Sequence, residues 1–129
     1  LKRLTDRKRL EKRIEKLITE KMRFRFGNKC QLCGKEYENG KGLGQFHVLP
    51  KGAFPNLKYR PENIVWACWF KCHYSWHHDF MVARDEVLPR IKNLLGDDYE
   101  ERLKNLSNEL TKTNMYELEK LYQWWSEKY

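Results

Sequence analysis

Two cysteine pairs constrain this chain more than any other feature. Cys30-Gln31-Leu32-Cys33 runs directly into Gly34, and Cys68 and Cys72 form a second pair much further along. Thiolates two residues apart can reach one tetrahedral ion, and a glycine after them permits the left-handed bend that such a turn needs. The wider spacing of Cys68 and Cys72 is still within the range of zinc ligands. The pattern therefore predicts one structural Zn²⁺ held by Cys30, Cys33, Cys68 and Cys72, with buried free thiols as the alternative. A 129-residue chain buries only a modest core, so a metal cross-link would contribute folding free energy directly. Disulfides would require an oxidising compartment. The opening stretch LKRLTDRKRLEKRIEKL is too charged for a signal peptide, and no run of about 20 apolar residues exists. A cytoplasmic protein without a membrane span is expected.

Periodicity divides the chain, read as a single domain, into three parts: a basic helical extension over 1–29, a zinc-stabilised core over 30–84 and a helical C-terminal extension over 85–129. Leu10, Ile14, Leu17, Ile18 and Met22 recur at helical spacing and predict a helix over 5–26, ended by Gly27-Asn28. Residues 45–49 and 63–67 read as short strands. The loop between them carries Pro50, Gly52, Pro55, Asn56 and Pro61, which exclude long regular structure. A helix is expected from Cys72 to Arg84, with Trp76, Phe80 and Met81 anchoring one face in the core. Apolar stripes from Val87 onward predict further helices, divided near Gly96-Asp97-Asp98, with Pro89 tolerable in a first helical turn.

With the cysteines assigned to zinc, the histidines are left for other work. His73 and His77 lie four apart and share a helical face, where two imidazoles can grip a second divalent cation and leave positions open for water or substrate. His78 is rotated away toward the rim. His47 falls on the first predicted strand and Asn63 at the start of the second, so a hairpin packed on the helix would let His47, Asn63, His73 and His77 converge. Singly, each has a plain alternative: a core histidine, a zinc neighbour, a turn-shaping asparagine.

The charge distribution suggests a partner. Of a net charge of +8, residues 1–29 carry a balance of +8, residues 30–84 a balance of +3 and residues 85–129 a balance of −3. A basic front half fits an anionic polymer, most simply DNA, although a solvated basic helix has the same composition. Arg23 and Arg25 beside the first cysteine pair, and Lys51, Lys58 and Arg60 in the inter-strand loop, are the candidate phosphate contacts. Phe54 and Tyr59 could stack on bases or pack over the hairpin. No base-reading helix stands out, so weak sequence preference is expected.

The order Cys-x2-Cys, His47, Asn63, Cys68-x3-Cys72-His73 and a further histidine resembles the HNH endonuclease motif over about residues 30–80. The run LGQFHVLPKGAFPNLKYRPENIVWAC, with VLPRIKNLLGDDYEERLKNL after it, is similar to the phage NinG (Rap) recombination endonucleases. The resemblance implies a small α+β protein with a ββα-metal core and a four-cysteine zinc, flanked by a basic N-terminal helix and C-terminal helices. It implies hydrolysis of DNA phosphodiesters, with His47 as general base, Asn63 orienting His47 or the site backbone, and Mg²⁺ or Mn²⁺ held by His73 and His77. Phage or mobile-element origin and action on branched or recombination intermediates are implied with it. The chain departs from the family at Phe46, where a metal ligand usually precedes the base, and at Gly44, where the NinG group has an acid. Gln45 shares a strand face with His47 and is a further candidate ligand through its carbonyl oxygen. The rival functions are a non-catalytic zinc-containing DNA-binding module and an interaction protein using Trp124, Trp125 and Tyr129. Monomer and homodimer both remain open.

Overall fold

The computed structural model describes residues 5–129. The first four residues of the expected basic extension lie outside the described residues. Helix α1 spans Asp6–Phe26. Its start is set by Thr5, whose hydroxyl accepts from Lys8 N at 3.2 Å, and by Asp6 in the positive first turn. Its end is set by Gly27 at φ 65°, whose N–H donates to the Arg23 carbonyl. Leu10, Ile14, Ile18 and Met22, each four residues from the next, form the buried stripe.

The cysteine turn follows. Gly34 takes φ +73° and donates to the Cys30 carbonyl at 2.9 Å, while Cys30 N donates to the Lys35 carbonyl at 3.1 Å. Strands β1, Leu43–His47, and β2, Ile64–Cys68, then pair antiparallel, with Leu43 opposite Cys68 and His47 opposite Ile64. The expected first strand was 45–49, so it lies two residues earlier than its sequence predicts. Val48 and Leu49 leave the ladder because Asn63 captures them: Val48 N donates to the Asn63 carbonyl, and Leu49 bonds the Asn63 side chain. Asn63 itself ends a 3₁₀ turn, Pro61–Asn63, rather than opening the strand.

The expected continuous helix from Cys72 to Arg84 is broken. A π-helical turn, Trp69–His73, leads into α2, Tyr74–His78. Asp79 is extended (φ −130°, ψ 95°) and caps a new start, α3 at Phe80–Val82, by accepting from Val82 N. The break turns Phe80 and Met81 outward, so neither anchors the core. Cys72 and Ser75 are the buried residues here, with Trp76 half-buried. A second π turn, Ala83–Val87, precedes Pro89, which sits in the first turn of α4, Leu88–Leu95. A proline without an N–H at this point suits a locally widened ladder. Helices α5, Tyr99–Glu109, and α6, Met115–Glu127, complete the fold.

The core runs through all of these elements. α1 packs against both strands and α6. Lys21 Nζ donates to the Ser126 carbonyl, Arg13 donates to the Tyr122 hydroxyl, and the buried Trp125 indole donates to the Tyr59 carbonyl at 2.9 Å. Trp125 is core, and the Tyr129 ring packs on it at 4.6 Å between centroids. The protein is thus a small α+β fold with a two-stranded antiparallel sheet. Among the described residues, no helix is long and apolar enough to cross a membrane.

Candidate functional site

The four cysteines meet as their spacing predicts. All four Sγ atoms lie within 4.8 Å of one another; Cys30 and Cys72 are 3.9 Å apart, Cys33 and Cys68 3.8 Å. A tetrahedron with metal–sulfur bonds of about 2.3 Å has edges of about 3.8 Å, so the cluster has the dimensions of a zinc cradle. Disulfide sulfurs would be about 2 Å apart, and these cysteines are free. Backbone N–H groups point at the sulfurs: Cys33 N and Cys68 N at Cys30 Sγ, Cys72 N at Cys68 Sγ. Crowding splits the thiols. Hydrogen bonding with Cys30, then with Cys72, pulls Cys68 below the ordinary thiol range, and hydrogen bonding with Cys30 and Cys68 pushes Cys72 above it. A divalent ion is what would let all four ionise together. Gln31, between the first pair, grips β2 by exchanging two 2.8 Å hydrogen bonds with the Trp66 backbone. Sequence reasoning passed over this residue.

Beside the cluster lies an open cavity of about 590 Å³. β1 brings Gln45 and His47 to it, the inter-strand loop brings Lys51, Lys58 and Tyr59, and the turns after β2 bring Trp69, His73 and His77. α1 adds Glu15 and Thr19. No local pattern marks these last two, because they reach the site only through packing of α1 on the hairpin.

His47 is fixed by a 2.8 Å hydrogen bond between Nε2 and the Lys58 carbonyl. A carbonyl only accepts, so Nε2 carries the proton and Nδ1 keeps the basic lone pair. Burial pushes the His47 pKa below 6.5; the Lys58 carbonyl opposes this, and the charges of Lys51 and Lys58 add to it. His73 is pushed down to about 4, first by burial and then by His77, His47 and Lys51. Both imidazoles are therefore neutral near pH 7. The His73 and His77 ring centroids are 5.1 Å apart. His78 lies outside the cavity, its ring against Tyr74 at 4.5 Å.

Asn63 is completely buried and does not reach the cavity. Its Oδ1 accepts from Leu49 N at 2.8 Å, and its Nδ2 donates to the Leu49 carbonyl at 3.0 Å. It holds the backbone just beyond His47 rather than the imidazole. Gln45 is in the cavity, but its amide nitrogen is already committed to α1, at 2.9 Å from both the Glu15 carbonyl and Thr19 Oγ1. Phe46 is fully buried, with its ring edge-on to His73 at 5.3 Å.

The basic candidates separate. Lys58 pairs with Glu15 at 3.7 Å and Arg60 with Glu62 at 2.9 Å. Arg23 lies over the Trp66 ring and Arg25 over the Tyr129 ring, both outside the cavity. Lys51 is exposed at the cavity, with no carboxylate partner among the described residues. Tyr59 is buried, with its hydroxyl donating to Glu15, so it packs.

Fold and site together define a small α+β protein with a four-cysteine cluster next to a three-histidine cavity. No protein-family model matches the chain, no curated protein matches it, and no solved structure matches it.

Proposed function

We propose that this protein is a metal-dependent endonuclease of the HNH type that hydrolyses DNA phosphodiester bonds. In this reading the hairpin and the turns after it are a ββα-metal unit, and the cysteine cluster holds a structural Zn²⁺. The observation that carries it is the His47 imidazole: it is neutral, its tautomer is fixed by the Lys58 carbonyl, and it shares a cavity with the imidazoles of His73 and His77 and with Lys51.

His47 Nδ1 takes the proton from a water whose oxygen attacks phosphorus, and the bond from phosphorus to the 3′ oxygen breaks, that oxygen taking a proton from solvent water. The products are a 5′-phosphate and a 3′-hydroxyl. Lys51 attracts the phosphate, and Asn63 keeps the base-bearing strand and its loop in register. A divalent ion of the Mg²⁺ or Mn²⁺ kind, held by His73 and His77, would supply stabilisation of charge on the phosphoryl and departing oxygens. Two imidazole ligands suit a borderline ion better than Mg²⁺, so Mn²⁺ is expected to support more cleavage.

One observation favours the rival, a non-catalytic zinc-containing DNA-binding module. Phe46 is fully buried where the family places a ligand. Nicking of plasmid and branched DNA separates the two readings. The nuclease reading expects cleavage that requires added divalent ion and drops about 10²- to 10⁴-fold in His47→Ala. Cleavage indifferent to His47→Ala, or DNA binding without cleavage across Mg²⁺, Mn²⁺, Ni²⁺ and Zn²⁺, would reject it.

A further inference from the structure

The turns that carry the second cysteine pair leave aromatic rings in solvent that a small fold would ordinarily bury. Phe70 is 75 % exposed, and Trp69 and Tyr74 are each 51 % exposed. Of the three, Trp69 belongs to a row of rings that lines the cavity. Trp69, His73 and His77 form one row, with successive centroids 4.4 and 5.1 Å apart. All three rings line the cavity, and Lys51 is part of the same lining. The backbone beneath Trp69 is pinned, its N–H donating to the Gly42 carbonyl at 2.6 Å. The His73 ring meets the indole at 64° and braces it from one side.

We infer that Trp69 is a stacking platform for an unpaired nucleobase, and that the favoured substrate is DNA with unpaired nucleotides next to the cut phosphate. The inference rests on the nuclease reading of the adjoining cavity. A base inside a continuous duplex has both faces covered by its neighbours, so only an unstacked base can lie on an indole. Aromatic faces beside a cationic groove accept any base, because every base has a π-face. Continuity with the cavity and the unpaired charge of Lys51 favour a polyanion here over a protein partner. A strand with its phosphate at Lys51 and the histidines would carry its next base onto Trp69.

The test is binding, measured by fluorescence anisotropy with no divalent ion added. Two labelled DNAs of the same sequence are compared, one fully paired and one with a short single-stranded gap. The gapped DNA is expected to bind more tightly, and Trp69→Ala to reduce that preference on the order of ten- to a hundredfold. Trp69→Phe, which keeps a ring, is expected to retain most of it. A readout on the unaltered protein stands beside the variants: 5-iodouracil placed in the gap is expected to photocross-link to Trp69. Equal affinity for both DNAs, an unchanged preference in Trp69→Ala, or cross-links elsewhere would overturn the platform. Concentration-dependent self-association lost in Trp69→Ala would also overturn it, assigning the face to a second copy. The two proposals fail separately. Loss of His47-dependent cleavage with the gap preference intact rejects the catalytic reading alone, and the reverse outcome rejects the platform alone.

Discussion

Replacing Asn63 with alanine tests whether this residue is a scaffold for the site. The side chain is fully buried and makes two well-formed hydrogen bonds to Leu49, at 2.8 and 3.0 Å, and a third contact to the Leu57 carbonyl at 3.5 Å. The third is at the limit of a real bond and counts for little. Asn63→Ala leaves a buried N–H and a buried carbonyl of Leu49 without these partners, at about 1–3 kcal/mol each when nothing replaces them. A loss of about 2–4 kcal/mol is expected, a large share of the roughly 5–15 kcal/mol that holds a domain together. The assay is urea unfolding followed by tryptophan fluorescence at fixed free zinc, with an unchanged denaturant slope. Asn63→Asp sharpens the test. It keeps the acceptor for Leu49 N but sets a carboxylate against two carbonyl oxygens. That new carboxyl has its pKa raised in the folded state, so the variant regains stability as pH falls toward it, the proton restoring a donor. A loss under about 0.5 kcal/mol for Asn63→Ala, or an Asn63→Asp variant indifferent to pH, would refute the bracing role.

Three further outcomes are expected. Protein purified without chelators should contain about one zinc per chain, and stripping it or making Cys72→Ser should abolish cooperative unfolding, since structural zinc supplies on the order of 10 kcal/mol; a metal-free protein that still melts cooperatively would count against the zinc. Because burial lowers the His47 pKa, the neutral base persists below pH 6.5, and the acid limb of the cleavage profile should fall below that value. The same shift makes a stability contribution that is complete above the unfolded pKa near 6.5 and is lost as pH falls through the folded one, which His47→Gln should remove from the pH–stability curve. DNA affinity should fall steeply with added salt, and a flat salt response would count against a basic contact surface.

Much of this architecture is local and could be read from the chain. The α1 stripe and its Gly27 cap, the meeting of the cysteine pairs and the helical C-terminal half follow from periodicity and spacing. The errors have specific physical causes. β1 ends at His47 because the Asn63 side chain, fourteen positions downstream of Leu49, takes the backbone that alternation assigns to a strand, and it starts at Leu43 because Leu43 pairs with Cys68. One helix is expected from Cys72 to Arg84, but the Asp79 backbone is extended and its carboxylate caps a new start at α3. That break moves Phe80 and Met81 to the surface. In the site, His47, His73 and His77 line one cavity, while Asn63, expected to join them, is buried away from it. Glu15 and Thr19 had no signal, since only the packing of α1 on the hairpin brings them there.

The pairing of α1 with α6 has a consequence for synthesis on the ribosome. Roughly ninety residues separate Phe26 from Met115, so α1 is made long before the helix that covers its flank. At about 5–20 residues per second, that flank waits several seconds or more for its partner. During this interval the hairpin can form and the cysteines can load metal, but Trp125 has not yet delivered its indole proton to the Tyr59 carbonyl. The loop that carries Lys58, and through it His47, therefore acquires its last support only when α6 emerges. A nascent chain halted before α6 would carry the four cysteines and all four histidines with the cavity loop still lacking this support, so on the nuclease reading cleavage would wait for α6.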